Sequence, residues 1–171
     1  MLFSKLNIKL FINFLILFFL LNNFNFSHAA GSDSSGSDGS GISSKNNLYK
    51  SAKNLIYKAK KLEKKNKLEK AKKLYIKAYD KLENAYKKDR KNADILNYLG
   101  FTLRKIGNFE KAENYYLKGL EIDAGHLGIN EYLGELYVET NRMDLAKKRL
   151  SVLQGCECEE YEELKELIEN K

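Results

Sequence analysis

Two cysteines near the C-terminus, Cys156 and Cys158, are the side chains with the most specific chemistry in this sequence. One residue separates them, and the whole chain has only these two cysteines and two histidines. A structural metal site usually needs four such ligands at workable spacing, so we predict no metal and no cofactor. In an oxidising compartment the pair would form a disulfide before the last helix. Free thiols and a redox pair are the alternatives.

The sequence lacks the combinations of residues that known catalytic sites use. His126 is the one histidine beyond the N-terminal segment, and no nucleophile stands in a known motif with it. The sequence also has no Gly-rich phosphate loop and no metalloprotease helix. We therefore predict no catalytic residues and no enzymatic activity.

The first 29 residues have the layout of a secretory signal peptide. Lys5 and Lys9 form a basic start, residues 10–21 are almost all apolar, and Ser27 and Ala29 offer small side chains for a signal peptidase. Because this apolar run is short for a bilayer, which needs roughly 20 residues, we predict cleavage after Ala29 rather than retention as an anchor. The chain would then be exported to a periplasm or secreted.

The next segment, residues 30–45, consists mainly of Gly, Ser and Asp. It has too little apolar surface to offset the entropy of ordering, so we predict a flexible linker. From residue 46 to residue 171, apolar residues recur at three- and four-residue spacing and proline is absent. This pattern predicts an all-α domain.

Residues 93–153 repeat themselves at an offset of 34, so that Leu99-Gly100 aligns with Leu133-Gly134. A fixed period of this length indicates stacked helical hairpins, because one hairpin cannot bury its apolar face without a neighbour. The repeated residues resemble the signature of the tetratricopeptide repeat (TPR). The signature positions are Leu99, Gly100, Ala112, Tyr116, Leu133, Gly134, Tyr137 and Ala146.

The resemblance implies a right-handed solenoid of about three helical hairpins, with repeats over residues 52–91, 93–126 and 127–155. An amphipathic helix over residues 159–170 would cap its exposed end. The first repeat departs from the pattern, because Ala71 stands 41 residues before Ala112 instead of 34. We therefore expect its second helix to be about two turns longer.

In the TPR family, the first helix of each repeat lines a concave groove. By this resemblance, the residues that would meet a peptide are Asn97, Phe101, Arg104, Lys105, Lys60, Glu131 and Glu135. Phe101 would be the anchor, and its burial against the first repeat is the alternative. TPR domains that grip a peptide's terminal carboxylate need cations where Glu131 and Glu135 stand, so we predict that free carboxyl termini are not the ligand.

Charge is segregated along the chain. Residues 45–91 carry 18 Lys or Arg against 5 acidic residues, whereas residues 92–171 carry 10 against 16. We predict a non-enzymatic protein-interaction module or scaffold that binds a peptide or helix of another protein. The alternative is a basic protein held by its Lys-rich helices to an anionic envelope polymer or lipid. No nucleic-acid partner is expected, because an exported protein seldom meets one.

The signal peptide leads to a first prediction. Signal peptidases require small residues just before the cut, so the exported protein should begin at Ala30, and Ala29→Tyr should block its processing. The intact mass of the protein from the periplasm of a bacterial host checks both. A wild-type protein that keeps its N-terminal segment would show that this segment is an anchor.

Overall fold

The computed structural model describes residues 40–171, which form seven helices and no strands. The helices are α1 (Ser40–Glu63), α2 (Leu68–Lys88), α3 (Ala93–Lys105), α4 (Phe109–Ile122), α5 (Leu127–Glu139), α6 (Met143–Leu153) and α7 (Glu159–Glu169). Consecutive helices pair as hairpins α1–α2, α3–α4 and α5–α6, and α7 packs against α5 and α6. The predicted all-α solenoid of three hairpins with a C-terminal helix is therefore confirmed.

The N-terminal boundary of the helical domain differs from the prediction. Helix α1 begins at Ser40, so residues 40–45 are helical rather than part of a linker. Extending a helix that is already formed costs little per residue, which explains how a polar stretch continues it. The predicted signal peptide and residues 30–39 lie outside the described residues. Within residues 40–171, no helix is both long and apolar enough to cross a membrane.

Each hairpin turn contains one residue with a left-handed backbone. The φ angles are 54° at Asn66, 89° at Gly107 and 58° at Asn141. Glycine adopts this conformation without steric cost, and asparagine tolerates it better than most residues. Gly107 and Asn141 are separated by the 34-residue repeat, so the second and third hairpins reverse direction at the same repeat position.

Three helices begin with a side chain that caps the backbone. Asn92, Asn108 and His126 each accept a hydrogen bond from the backbone N–H three residues later, at 3.1, 3.3 and 3.2 Å. Such a cap satisfies one of the free N–H groups of the first turn. These caps fix where α3, α4 and α5 start, and hence which residues face the other helices.

The TPR signature residues lie in the core, and all eight are buried. At Gly100 the two helices of the second hairpin approach so closely that a Cβ atom would lie 2.5 Å from the Tyr116 ring. Gly134 has another neighbour, because it faces the side chain of Leu164 on α7. The repeated glycine therefore serves hairpin packing in one repeat and docking of the C-terminal helix in the next.

Helix α7 covers the end of the third hairpin. Its Leu164 is fully buried, and the outer face of the helix carries exposed acidic residues. Cys156 and Cys158 form a disulfide in the loop that leads into α7, with their Cα atoms 5.2 Å apart. The loop also holds Gly155 and Glu157 at positive φ. The helix thus occupies the capping position that the sequence predicts.

The glycine contacts lead to a prediction about stability. Gly100→Ala should lower the free energy of unfolding by about 1–2 kcal/mol, because overpacking against the buried Tyr116 ring outweighs the higher helix propensity of alanine. Gly134→Ala should be much milder, since the ends of the Leu164 side chain can move. Urea unfolding of both variants checks this. Equal midpoints for Gly100→Ala and the wild type would contradict the close helix approach.

Candidate functional site

The first helices of the three hairpins, α1, α3 and α5, form one face of the domain together with α7, and we call this face the groove. It contains an open cavity of about 620 Å³, the groove cavity, which all four helices and the α4–α5 loop line. Lys60 of α1 reaches across and donates a hydrogen bond to the Tyr132 hydroxyl of α5 at 3.5 Å. The first and third hairpins therefore approach each other over α3.

Phe101 lies beneath this contact rather than on the open surface. Only 2% of its surface is exposed, and its ring centroid lies 5.8 Å from that of Tyr75 and 4.9 Å from that of Tyr132. The Lys60 ammonium stands 4.9 Å from the same ring. The expected role of Phe101 as an exposed peptide anchor is therefore wrong. The alternative of burial against the first repeat holds, because the long first hairpin brings Tyr75 and Lys60 onto the ring.

Arg104 and Lys105 are occupied by internal ion pairs. Arg104 is 5% exposed and pairs with Glu135 and with Glu139, both on α5. Lys105 pairs with Glu63 of the first hairpin at 2.9 Å. These two cations, together with Glu135, join neighbouring hairpins, and we assign them to the solenoid rather than to a ligand.

Asn97 and Glu131 line the groove cavity. Asn97 is 5% exposed, and its Oδ1 atom has no hydrogen-bond partner. Its Nδ2 atom packs closely on Gly128, because a Cβ atom added to this glycine would lie 2.8 Å from Nδ2. A buried oxygen without a partner costs free energy.

Glu131 belongs also to a second cavity of about 200 Å³, which we call the acidic cleft. The cleft is lined by Lys60, Glu131, Tyr132, Glu159, Glu160 and Glu163. Burial raises the pKa of Glu131 to about 9, with help from a hydrogen bond to Glu163 and from the charges of Glu135, Glu163 and Glu160. Glu131 is therefore protonated at neutral pH, and its proton links α5 to α7.

Three carboxylates of this region, from Glu131, Glu135 and Glu163, have oxygen atoms within 4.8 Å of one another. Such a group could in principle hold a cation. The Arg104 guanidinium already pairs with Glu135, however, and Glu131 is protonated, so only the Glu163 carboxylate is left for an incoming charge. The geometry therefore favours a singly charged donor over a divalent metal ion.

Sequence reasoning missed the aromatic residues of the groove cavity. Tyr49 and Tyr98 lie edge to face at 5.8 Å, and the Lys53 ammonium stands 5.5 Å from each ring. Tyr98 and Tyr132 are 34 residues apart and both line the cavity. Their shared repeat position was a signal that could have identified them.

His126 has a structural explanation. Its Nδ1 atom accepts the Ile129 N–H as a helix cap, so the proton of the neutral ring sits on Nε2, which faces Asp94 at 3.3 Å. Both ring nitrogens are therefore engaged.

The family follows from a comparison with known proteins. Residues 57–124 match the model of the tetratricopeptide repeat. Residues 57–124 therefore belong to the tetratricopeptide repeat family. The match covers the end of α1, all of α2 and the whole second hairpin, including Gly100 and Tyr116. No relative is found among the curated proteins.

Solved TPR structures are similar to this chain. The second TPR domain of human RPAP3, in complex with the HSP70 peptide SGPTIEEVD, is 18% identical, with a TM-score of 0.49, over 74% of this chain and 99% of that chain. The Arabidopsis OM64 TPR domain is 15% identical, with a TM-score of 0.47, over 72% and 98%. The Yersinia enterocolitica secretion chaperone SycD, with a peptide of YopD, is 17% identical, with a TM-score of 0.47, over 71% and 88%.

The buried carboxyl of Glu131 predicts how stability depends on pH. Its pKa is about 9 in the TPR domain and near the ordinary 4.5 in the unfolded chain, so the folded state holds more protons between these values. The free energy of unfolding should therefore fall as the pH rises from about 5 to 9. In Glu131→Gln, the decrease in the free energy of unfolding over this pH range should be smaller by about 1–3 kcal/mol, because glutamine does not titrate.

Urea unfolding at several pH values, compared between wild type and variant, measures the difference. Glu121→Gln is the matched control, since it removes an exposed carboxylate on α4. The control should follow the wild type. Identical pH profiles for Glu131→Gln and the wild type would show that Glu131 is ionised in the folded protein.

Proposed function

We propose that this TPR domain is a non-enzymatic protein-interaction module that holds a peptide or helix of another protein in the groove. The observation that carries the proposal is the groove cavity, which is open to solvent and lined by the first helix of every hairpin. Its volume of about 620 Å³ falls within the range of ligand pockets. The repeats would act as the scaffold that holds its walls in place.

The chemistry of the walls suits a peptide. Tyr49, Tyr98 and Tyr132 offer flat amphipathic surfaces, which bury area on binding at a low cost in side-chain entropy. Asp94, Asp123 and Glu160 line the same cavity and disfavour a terminal carboxylate, which supports an internal segment of the partner as the ligand.

The place of action is proposed from the N-terminal sequence alone. We infer an exported protein in a periplasm or secreted, with the signal peptide removed after Ala29. An oxidising compartment would be compatible with the disulfide between Cys156 and Cys158.

A second candidate function is supported by the outer face of the first hairpin. Tyr57 is 60% exposed there, with the Lys61 ammonium 4.3 Å from its ring, and Ile76 is 43% exposed. Exposed lysines surround these residues on α1 and α2. Such a face could hold the protein to an anionic envelope polymer or lipid surface by charge.

A pair of tyrosine variants tests the groove. Peptides are first selected from a random display library on the wild-type protein. Tyr98→Ala should weaken their binding by about tenfold, because it removes an aromatic wall of the cavity. Tyr57→Ala removes a tyrosine from the outer face and should leave the affinity unchanged. Fluorescence anisotropy with labelled peptides measures both. Peptides that bind Tyr98→Ala as tightly as the wild type would place the site elsewhere.

Salt distinguishes the two candidate functions. Binding in the groove rests on buried contacts and should persist in about 0.5 M salt, whereas attraction to anionic vesicles should be largely screened there. If the library yields no binding peptide while the protein binds anionic vesicles in a salt-sensitive manner, the second function replaces the first.

A further inference from the structure

The first and the last helix of the described chain carry opposite charges. Helix α1 contains six lysines and one acidic residue, whereas α7 contains six glutamates and one lysine. Each of these helices packs on the rest of the domain from one side, α1 chiefly on α2, and α7 on α5 and α6. The side of each helix that points away from its neighbours is therefore open to solvent.

On α1 this open side forms a surface that we call the basic face. Tyr57, Lys61 and Lys64 follow one another at four- and three-residue spacing, which places them on one side of a helix, and all three are exposed. Lys64 comes just after the end of α1, but its N–H still bonds to the carbonyl oxygen of Lys60 at 3.1 Å, as in a helix. Among the described residues, neither Lys61 nor Lys64 takes part in an ion pair.

On α7 the open side forms a second surface, the acidic face. Glu162, Glu166 and Glu169 are exposed and lie on the side of the helix opposite the buried Leu164. Within the part of the chain that the structure describes, none of the three has an ion pair. Like charges three or four residues apart destabilise a helix, so this face costs free energy that a surface of mixed charge would avoid.

The two faces match in spacing as well as in charge. The basic face has its three groups at residues 57, 61 and 64, and the acidic face has its carboxylates at 162, 166 and 169, so both run at intervals of four and three residues. At the helical rise, each row is about 10 Å long. Tyr57 adds a hydroxyl donor that is 60% exposed and has no acceptor among the described residues.

We propose that the basic face of one copy of this chain binds the acidic face of a second copy. Lys61 and Lys64 pair with carboxylates of the partner's α7, and the Tyr57 hydroxyl donates a hydrogen bond to another. An anionic polymer would also fit the basic face, but it would leave the acidic face without a role. A second copy accounts for both faces, since charge complementarity between them is built into one sequence.

This inference goes beyond the peptide-binding function, because it concerns surfaces outside the groove cavity. One ion pair between exposed side chains adds little affinity, so the association is weak and depends on several contacts together. Its consequence is an assembly that carries more than one groove. Such an assembly holds a partner with several binding segments more tightly than a single domain does.

Sedimentation velocity tests the self-association, with the protein expressed as the full chain and purified as the host processes it. The net charge of +7 repels copies at long range, but at about 0.1 M salt this repulsion is screened beyond about 10 Å and contacts between the faces dominate. The mean mass should therefore rise with concentration there and fall back to that of a monomer at about 0.5 M salt. A monomer at every concentration in the lower salt would overturn the inference and leave the proposed function standing.

Two double variants each neutralise one face. Lys61→Gln with Lys64→Gln changes the basic face, and Glu162→Gln with Glu166→Gln changes the acidic face. Each variant alone should self-associate about tenfold more weakly than the wild type. An equimolar mixture should associate more strongly than either variant alone and form a dimer, because each variant supplies the face that the other lacks. A mixture no heavier than the separate variants would overturn the pairing of unlike faces.

A double variant on α2 is the matched control. Lys73→Gln with Lys77→Gln removes the same charge from exposed positions of the same hairpin, but not from the basic face. It should self-associate within about twofold of the wild type. A control that weakens association as much as Lys61→Gln with Lys64→Gln would show that only the total charge of the hairpin matters, and would overturn the inference.

Discussion

The ring of Phe101 is the contact on which the rest of the structure depends. It belongs to the second hairpin and contacts Tyr75 of the first and Tyr132 of the third. The Lys60 ammonium lies over the ring. Complete burial of a phenylalanine side chain contributes about 2–3 kcal/mol, so one ring provides a large share of the coupling between hairpins. Stacked repeats have few other contacts between non-neighbouring units, since each repeat packs mainly on the next.

The same contact determines the shape of the groove. Because Lys60 reaches Tyr132 over the Phe101 ring, the first and third hairpins close the middle of the concave face. The open space is displaced to the side where Tyr49, Tyr98 and the start of α5 meet. The C-terminal helix then adds its acidic first turns to the edge of this space. A groove that the repeat pattern would make continuous becomes an aromatic cavity beside an acidic cleft.

The fold could be predicted from the sequence because helix packing and turn geometry require particular residues at the repeated positions. Gly100, Gly107 and Asn141 stand where a close helix approach or a left-handed turn requires them. The site was predicted less well. The 34-residue spacing places Phe101 on the first helix of its repeat, but the extended first hairpin that buries it has no counterpart in the pattern. The cleft depends on α7, which lies outside the repeats, so no periodicity could place Glu163 beside Glu131.

Asn97 and Glu131 occupy the same repeat position, 34 residues apart, and neither side chain is explained by the packing of the solenoid. An apolar residue at either position would avoid the cost of a buried oxygen without a partner or of a carboxyl held by other carboxyls. Arg104 shows that this domain satisfies a buried charge where structure alone requires it, since two carboxylates of α5 pair with it. Polar side chains retained at such a cost on the wall of an open cavity support the proposal that this wall binds a ligand.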